Sequence, residues 1–256
     1  MPDWNIRRER VAEHPKVEIV TIDRPPVNAI CGAMYDEIAS IFQSVTDNTE
    51  TRCFILTGAG SRAFIAGADV REFLELGTDN GPSYMKIRRR SFESLRDCPV
   101  PVVGAINGPA LGAGLAFAAA CDILVASDNA TFGLPEINVG VLGGAKHLSQ
   151  LVPAQIVRHM ALTGHRLTAE QMRGFGGVSM VVPLDELRSA AIALAAEIAA
   201  KSPYAARLAK EALNLIETMG LEQGYQVEQL HSMILSSQGD SKKAAEAFLN
   251  GTEPEF

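Results

Sequence analysis

The segment from Ile106 to Cys121, INGPALGAGLAFAAAC, constrains the architecture more than any other. From Gly112 on, its side chains are small and apolar on every side. A helix built from them has no polar face to show to water and must be buried. The short strand Pro101–Ile106 leads into it through Asn107-Gly108-Pro109, and Asp122–Ala126 follows as another strand. Upstream the same alternation recurs. Val17–Ile22 reads as a strand halted by Arg24-Pro25-Pro26. Ile38, Ile41, Phe42 and Val45 lie on one helical face, and Cys53–Thr57 is a strand closed by Gly58-Ala59-Gly60-Ser61. Asp69–Leu76 reads as a short helix with Asp69 and Glu72 at capping-box spacing, and Tyr84–Arg96 as a basic helix. Short apolar strands alternating with helices predict an α/β class.

The last third changes character. Val178–Val182 reads as the final strand, and from Pro183 onward the chain is helical. Three apolar stripes run through Leu184 to Ile198, Leu208 to Met219 and Leu230 to Ile234, with Pro203 and Gly220 at the joins. The expected division is a body of residues 1–182 and a helical region of residues 183–256 that covers the core or packs on other subunits. The chain carries 23 Lys and Arg against 30 Asp and Glu, a net charge of −7. That argues against a nucleic-acid partner gripped by a broad basic face. No apolar run reaches the ~18 residues of a membrane span. The start, MPDWNIRRERVAEH, has no apolar stretch behind its basic residues, so no secretory leader and a cytoplasmic location are expected. Cys31, Cys53, Cys98 and Cys121 form no C-x-x-C pair and read as reduced, mostly buried thiols; no metal site is expected.

The common catalytic signatures G-x-S-x-G, H-E-x-x-H and G-x-x-x-x-G-K-[ST] are absent. Gly58-Ala59-Gly60-Ser61-Arg62-Ala63 is a poor dinucleotide fingerprint, because the residues after it do not read as a helix. Two other corners are more informative: Ala63–Val70 and Ile106–Leu115. In each, Gly and Ala residues lead into a helix N-terminus, where free N–H groups gather and small side chains admit a ligand oxygen. Two such corners facing each other make an oxyanion hole; alternatively they are two tight turns packed on the sheet. In Phe132–Gly140 a single carboxylate, Glu136, stands in an apolar, turn-rich stretch. Desolvation there would raise its pKa toward neutrality, as a proton carrier needs; alternatively it is an exposed loop glutamate or a helix cap.

Taken together these segments resemble the crotonase, or enoyl-CoA hydratase/isomerase, superfamily over nearly the whole chain. The matching text is Asp23-Arg24-Pro25 with Asn28-Ala29, Ala66-Gly67-Ala68-Asp69, Asn107-Gly108 with Ala110–Gly114, Cys121-Asp122, Phe132–Glu136 and Leu162-Thr163-Gly164. The resemblance implies an α/β, crotonase-like spiral of ββα units with a C-terminal helical trimerisation region. A homotrimer or a dimer of trimers is then expected. It implies acyl-CoA thioester substrates and no cofactor, coenzyme A being part of the substrate. Carried over position by position, the backbone N–H groups of Ala68 and Ala113 are the oxyanion donors and Glu136 the acid–base. Ala66, Gly67, Gly112, Ala116 and Arg24 fall among the substrate-binding positions.

The sequence departs from the hydratase pattern at residue 116. Hydratases of this superfamily carry two glutamates; this chain has Glu136 at one position and Ala116 at the other. A methyl group neither orients water nor moves a proton. A single glutamate at the Glu136 position resembles the enoyl-CoA isomerases and the hydroxycinnamoyl-CoA hydratase-lyases. Double-bond isomerisation or single-acid hydration is therefore expected, the alternative being a catalytically degenerate member that binds acyl-CoA. Lys146 and His147 replace small residues near the expected acyl chain, with His147 a candidate auxiliary acid or base. Arg24, Lys86, Arg88, Arg89 and Arg90 are candidate partners of the coenzyme A phosphates, although a solvated helix face accounts for most of the 86–90 run.

Overall fold

Buried, β-branched strands form the centre of the molecule, and their order places every corner of the candidate site at one end of a sheet. The computed structural model describes residues 3–45 and 50–256. The chain opens with the hairpin β1 (Asn5–Val11) and β2 (His14–Asp23), then α1 (Gly32–Gln43) and β3 (Cys53–Gly58). There follow α2 (Val70–Phe73), α3 (Gly81–Arg96), β4 (Val102–Ile106), β5 (Ala110–Leu111), α4 (Ala113–Ala119), β6 (Ile123–Ser127) and β7 (Thr131–Gly133). A 3-10 turn at Pro135–Val139 leads to α5 (Ala145–Leu148), α6 (Ala154–Thr163), β8 (Arg166–Thr168), α7 (Ala169–Gly174) and β9 (Met180–Val182). The remainder is α8 (Leu187–Ala199), α9 (Pro203–Ile216), α10 (Leu221–Ser236) and α11 (Gly239–Leu249).

The main sheet runs β1-β2-β3-β4-β6-β9 and is parallel except for the β1–β2 hairpin; β5, β7 and β8 make a smaller sheet. Both faces of the main sheet are covered, which explains why β3 and β4 read as continuous apolar runs. On one face α1, α3 and α4 enclose a core containing Tyr35, Phe42, Phe54, Phe64, Phe117 and Phe132. On the other, α8 packs on β2, β3, β4 and β6. Its contact stripe is Leu187, Ala191, Ala195 and Ala199, one residue every turn, and the small alanines let the helix lie close to the strands. The first helix after Pro183 is thus part of the sheet's packing. The α/β class read from the sequence is the observed one, and α4 is buried on every side as its composition requires.

Two local expectations are revised. The helix expected over residues 69–76 is only Val70–Phe73, and its cap is not a box. Asp69 accepts from the Arg71 N–H at 3.0 Å. Glu72 does not reach back to Asp69; its carboxylate accepts the Gly32 N–H at 2.8 Å and caps α1, whose own N-cap, Cys31, makes no side-chain cap. The polar strand β1, NIRRERV, was not legible as a strand, because its order comes from pairing with β2 at the sheet edge.

The C-terminal helices are anchored at one buried cation. Lys210 of α9 donates to Asp122 at 2.7 Å and to the carbonyls of Leu95 and Val100 at 3.1 and 3.2 Å. Beyond that anchor, α10 and α11 leave Leu221, Met233, Phe248 and Leu249 exposed. No helix among the described residues is long and apolar enough to cross a membrane.

Candidate active site

The early motif residues Arg24 and Asn28 brace the first corner. Asn28, in the left-handed region at φ 56°, donates to the carbonyls of Ala63 and Ala59 at 2.9 and 3.0 Å. Asn107, at the end of β4, donates to the carbonyls of Gly60 and Gly58 at 2.7 and 2.9 Å. Each buried amide replaces the ladder partners that a turn lacks. The corner is then stitched to the chain after Arg24. Ile30 N–H donates to Gly67 O, and Asp69 N–H to Ile30 O, at 2.9 and 2.8 Å. These two bonds flank Ala68 and leave its own N–H directed away from Ile30.

The second corner packs against the first. Leu111 N–H donates to Ile65 O at 3.0 Å. Gly114 lies so close that an added Cβ would stand 2.0 Å from Ile65 O, and one on Gly67 would stand 3.4 Å from Leu111 O. Gly112, at φ 53°, turns the chain into α4 and makes Ala113 the first helical residue. A first-turn N–H has no partner within its helix. Among the described residues no protein acceptor takes the N–H of Ala68 or of Ala113.

Glu136 completes the group. Pro135 starts the 3-10 turn that carries it, and Gly140 in the left-handed region ends the turn. Its Oε1 lies 2.6 Å from where a Gly112 Cβ would be and 3.2 Å from where a Gly143 Cβ would be, so two glycines make room for the carboxylate. The side chain is half-buried, and its Oε2 makes no hydrogen bond among the described residues. Burial raises its pKa above the ordinary 4.5, opposed in part by the Arg88 charge. This is a carboxylate set against Gly112, the residue next to Ala113, with one oxygen unbonded among the described residues and a strengthened hold on a proton.

The other expected residues divide. Ala66 and Gly67 lie in the first corner, and Gly112 lies in the second. Ala116 is buried one turn into α4, and its N–H donates to Gly112 O, so no acid stands there. Arg24 is a correction to the expected phosphate contact. It is buried, and its guanidinium donates to Ala29 O and Asp69 at 2.9 Å each and to Asp3 at 3.2 Å, so it serves as a brace. Together with Arg71 it holds the Asp69 carboxyl well below its ordinary value. Lys146 is exposed. His147 packs edge-on against Phe92 at 5.1 Å, and burial, with Arg88 and Arg96 nearby, lowers its pKa and favours the neutral ring. In the basic run, Arg90 bonds Gln43 at 2.8 Å, while the Arg88 guanidinium lies 5.8 and 5.7 Å from the ring centres of Tyr35 and Tyr84. Sequence reasoning missed Tyr35 and Tyr84, whose aromatic character reads only as helix core.

Comparison with known proteins fits this geometry. Residues 13–256 match the family described as Enoyl-CoA hydratase/isomerase. A (7aS)-7a-methyl-1,5-dioxo-2,3,5,6,7,7a-hexahydro-1H-indene-carboxyl-CoA hydrolase of Mycobacterium tuberculosis is 37% identical over 238 residues, 92% of this chain and 95% of that protein. A short-chain-enoyl-CoA hydratase of Clostridium acetobutylicum is 36% identical over 203 residues, 78% of each chain. The crystal structure of an enoyl-CoA hydratase from Bacillus anthracis superposes with a TM-score of 0.93 at 31% identity, covering 98% of both chains. With the family matched across nearly its full length and the fold shared with solved hydratases, this chain belongs to the enoyl-CoA hydratase/isomerase family of the crotonase superfamily.

Proposed function

We propose that this enzyme moves a proton at the α-carbon of an acyl-CoA thioester, with Glu136 as the one acid–base and the N–H groups of Ala68 and Ala113 as oxyanion donors. The observation that carries the reading is the placement of the Glu136 carboxylate against Gly112, beside the Ala113 N–H, with a methyl group at residue 116. The thioester oxygen accepts both N–H groups. As Glu136 takes the α-proton, charge builds on that oxygen, and each donor contributes ~3–4 kcal/mol that the ground state does not receive. Returning the same proton at the γ-carbon converts a 3-enoyl into a 2-enoyl thioester, with no atom gained or lost. One carboxylate suffices for that step, so isomerisation ranks ahead of single-acid hydration.

A second reading follows from the Mycobacterium tuberculosis relative, named a hydrolase of a carboxyl-CoA substrate. There the same carboxylate would deprotonate water rather than carbon. A panel of 3-enoyl and 2-enoyl thioesters separates the readings. Isomerisation raises the absorbance of the conjugated thioester with 3-enoyl substrates, hydration lowers it with 2-enoyl substrates, and thioester hydrolysis releases a titratable thiol. Tight binding with none of these changes would leave a catalytically silent acyl-CoA binder and overturn the proposal.

We also propose that the chain works as a homotrimer or a dimer of trimers. The exposed large apolar residues of α10 and α11, among them Leu221, Met233, Phe248 and Leu249, support this, since a partner subunit would take them out of water. Light scattering should give three or six times the 27.4 kDa subunit mass, and a monomer would refute it.

A further inference from the structure

The face of the main sheet turned toward α8 holds a cavity of its own. It measures about 360 Å³, within the ~300–1,000 Å³ usual for ligand pockets, and lies between the strands and the start of that helix. Ile19, Ile55, Leu187 and Ala191 make its apolar wall, and all four belong to the core on the α8 face. Glu136, Ala68 and Ala113 are not among the residues that line it, so it is separate from the site described above.

The strands change chemistry where they reach this cavity. On the α8 face β2 presents Val17, Ile19 and then Thr21, and β3 presents Cys53, Ile55 and then Thr57. Thr21 and Thr57 are register partners, so the two hydroxyl-bearing side chains are neighbours. The Thr57 hydroxyl donates to Ala105 O at 2.8 Å and is left to a ligand as an acceptor. Thr21 is only 9% exposed and lines the cavity, and its hydroxyl has no protein partner among the described residues. A buried hydroxyl in that position is completed by water or by a ligand. The charged lining residues, Glu9 and Arg188, are exposed and answer each other at 3.2 Å. The Asn107 amide is likewise committed, to the backbone of Gly58 and Gly60.

We propose that this cavity is a second binding site, for a small, uncharged, mostly apolar molecule that carries a hydroxyl group. The aliphatic wall takes the body of such a molecule out of water. Its hydroxyl donates to the Thr57 oxygen or accepts from the Thr21 hydroxyl, the two polar atoms that the cavity leaves open. A carboxylate or ammonium ligand would find each opposite charge already taken. The bound molecule would touch the turn through Gly58, Gly60 and Ser61, which Asn107 holds and which leads into the corner carrying Ala68. Nothing in this inference depends on the role of Glu136.

Phenol is a probe of this class, and toluene has nearly the same shape without the hydroxyl. In protein labelled at its isoleucine and leucine methyl groups, phenol should shift the NMR signals of Ile19, Ile55 and Leu187. The shifts should saturate with a Kd on the order of 1 mM, ordinary for a ligand of about seven non-hydrogen atoms. Thr21→Val keeps the side-chain shape and removes a hydroxyl that no protein group uses, so the fold has nothing to lose. It should weaken phenol by ~2–10-fold, the scale of one hydrogen bond, and leave toluene bound as tightly or more so. The wild-type titration needs no variant: no saturable shift at these methyl groups with phenol would mean a cavity that holds water only, and would overturn the proposal. An unchanged phenol affinity in Thr21→Val, or an equal loss for phenol and toluene, would overturn it as well, because the hydroxyl would not be what is recognised. None of these results bears on Glu136, whose role is read from turnover.

Discussion

Replacing Glu136 by Gln is expected to lower kcat by ~10²–10⁴-fold, the usual contribution of a positioned acid–base, while acyl-CoA binding persists. The substitution keeps shape and volume in a space bounded by Gly112 and Gly143, so the fold has no reason to respond. It removes only the ability to take a proton. The pH dependence follows from the same burial. A base must be deprotonated to act, and burial holds the Glu136 pKa above 4.5. Wild-type turnover should therefore fall as pH drops through a value above the ordinary glutamate range, and in Glu136→Gln the residual rate should lose that acid limb. A full-rate Glu136→Gln enzyme would assign the proton to another group.

The second large effect is at Gly114. An added methyl group would stand 2.0 Å from the Ile65 carbonyl oxygen and 2.9 Å from its carbon, and both are backbone. Helix α4 cannot shift to relieve the contact, because nearly every residue of it is buried. Gly114→Ala should cost ~3 kcal/mol or more of stability, since overpacking against backbone lies at the severe end of single substitutions. Any folded protein should have its two corners forced apart and turnover lost with them. Gly174→Ala, where nothing lies within 4 Å, is the matched control. It should change the denaturation midpoint little, and a similar loss at both sites would show that corner packing is not what Gly114 provides.

The sequence exposed the parts of this protein that repeat along the chain. Strand and helix periodicity located the central sheet, and an all-apolar composition predicted the burial of α4 because no other environment suits it. Glu136 and the two glycine-rich corners stood out because their residue types are unusual for their surroundings. Contacts between distant segments were not legible. Asn28 and Asn107 were visible as motif letters, but their role as braces lies in side-chain bonds to backbone more than 30 residues away. Arg24 reads as a candidate phosphate partner from its charge alone; burial with Asp69 makes it structural. The spacing of Glu72 from Asp69 predicts a cap on its own helix, whereas its carboxylate caps α1. Arg88 reads as one charge among several on a solvated face, and only the fold sets it over two tyrosines.

Paired N–H groups and one carboxylate acting on a thioester would work in the same way whatever the acyl group. Exchange of α-protons of a saturated acyl-CoA in deuterated water, followed by NMR, tests that most directly, because it needs no double bond, water addition or bond cleavage. By that mechanism the wild-type enzyme should catalyse exchange, and Glu136→Gln none above background. Equal exchange by the two proteins, or none by wild type with the thioester demonstrably bound, would contradict it.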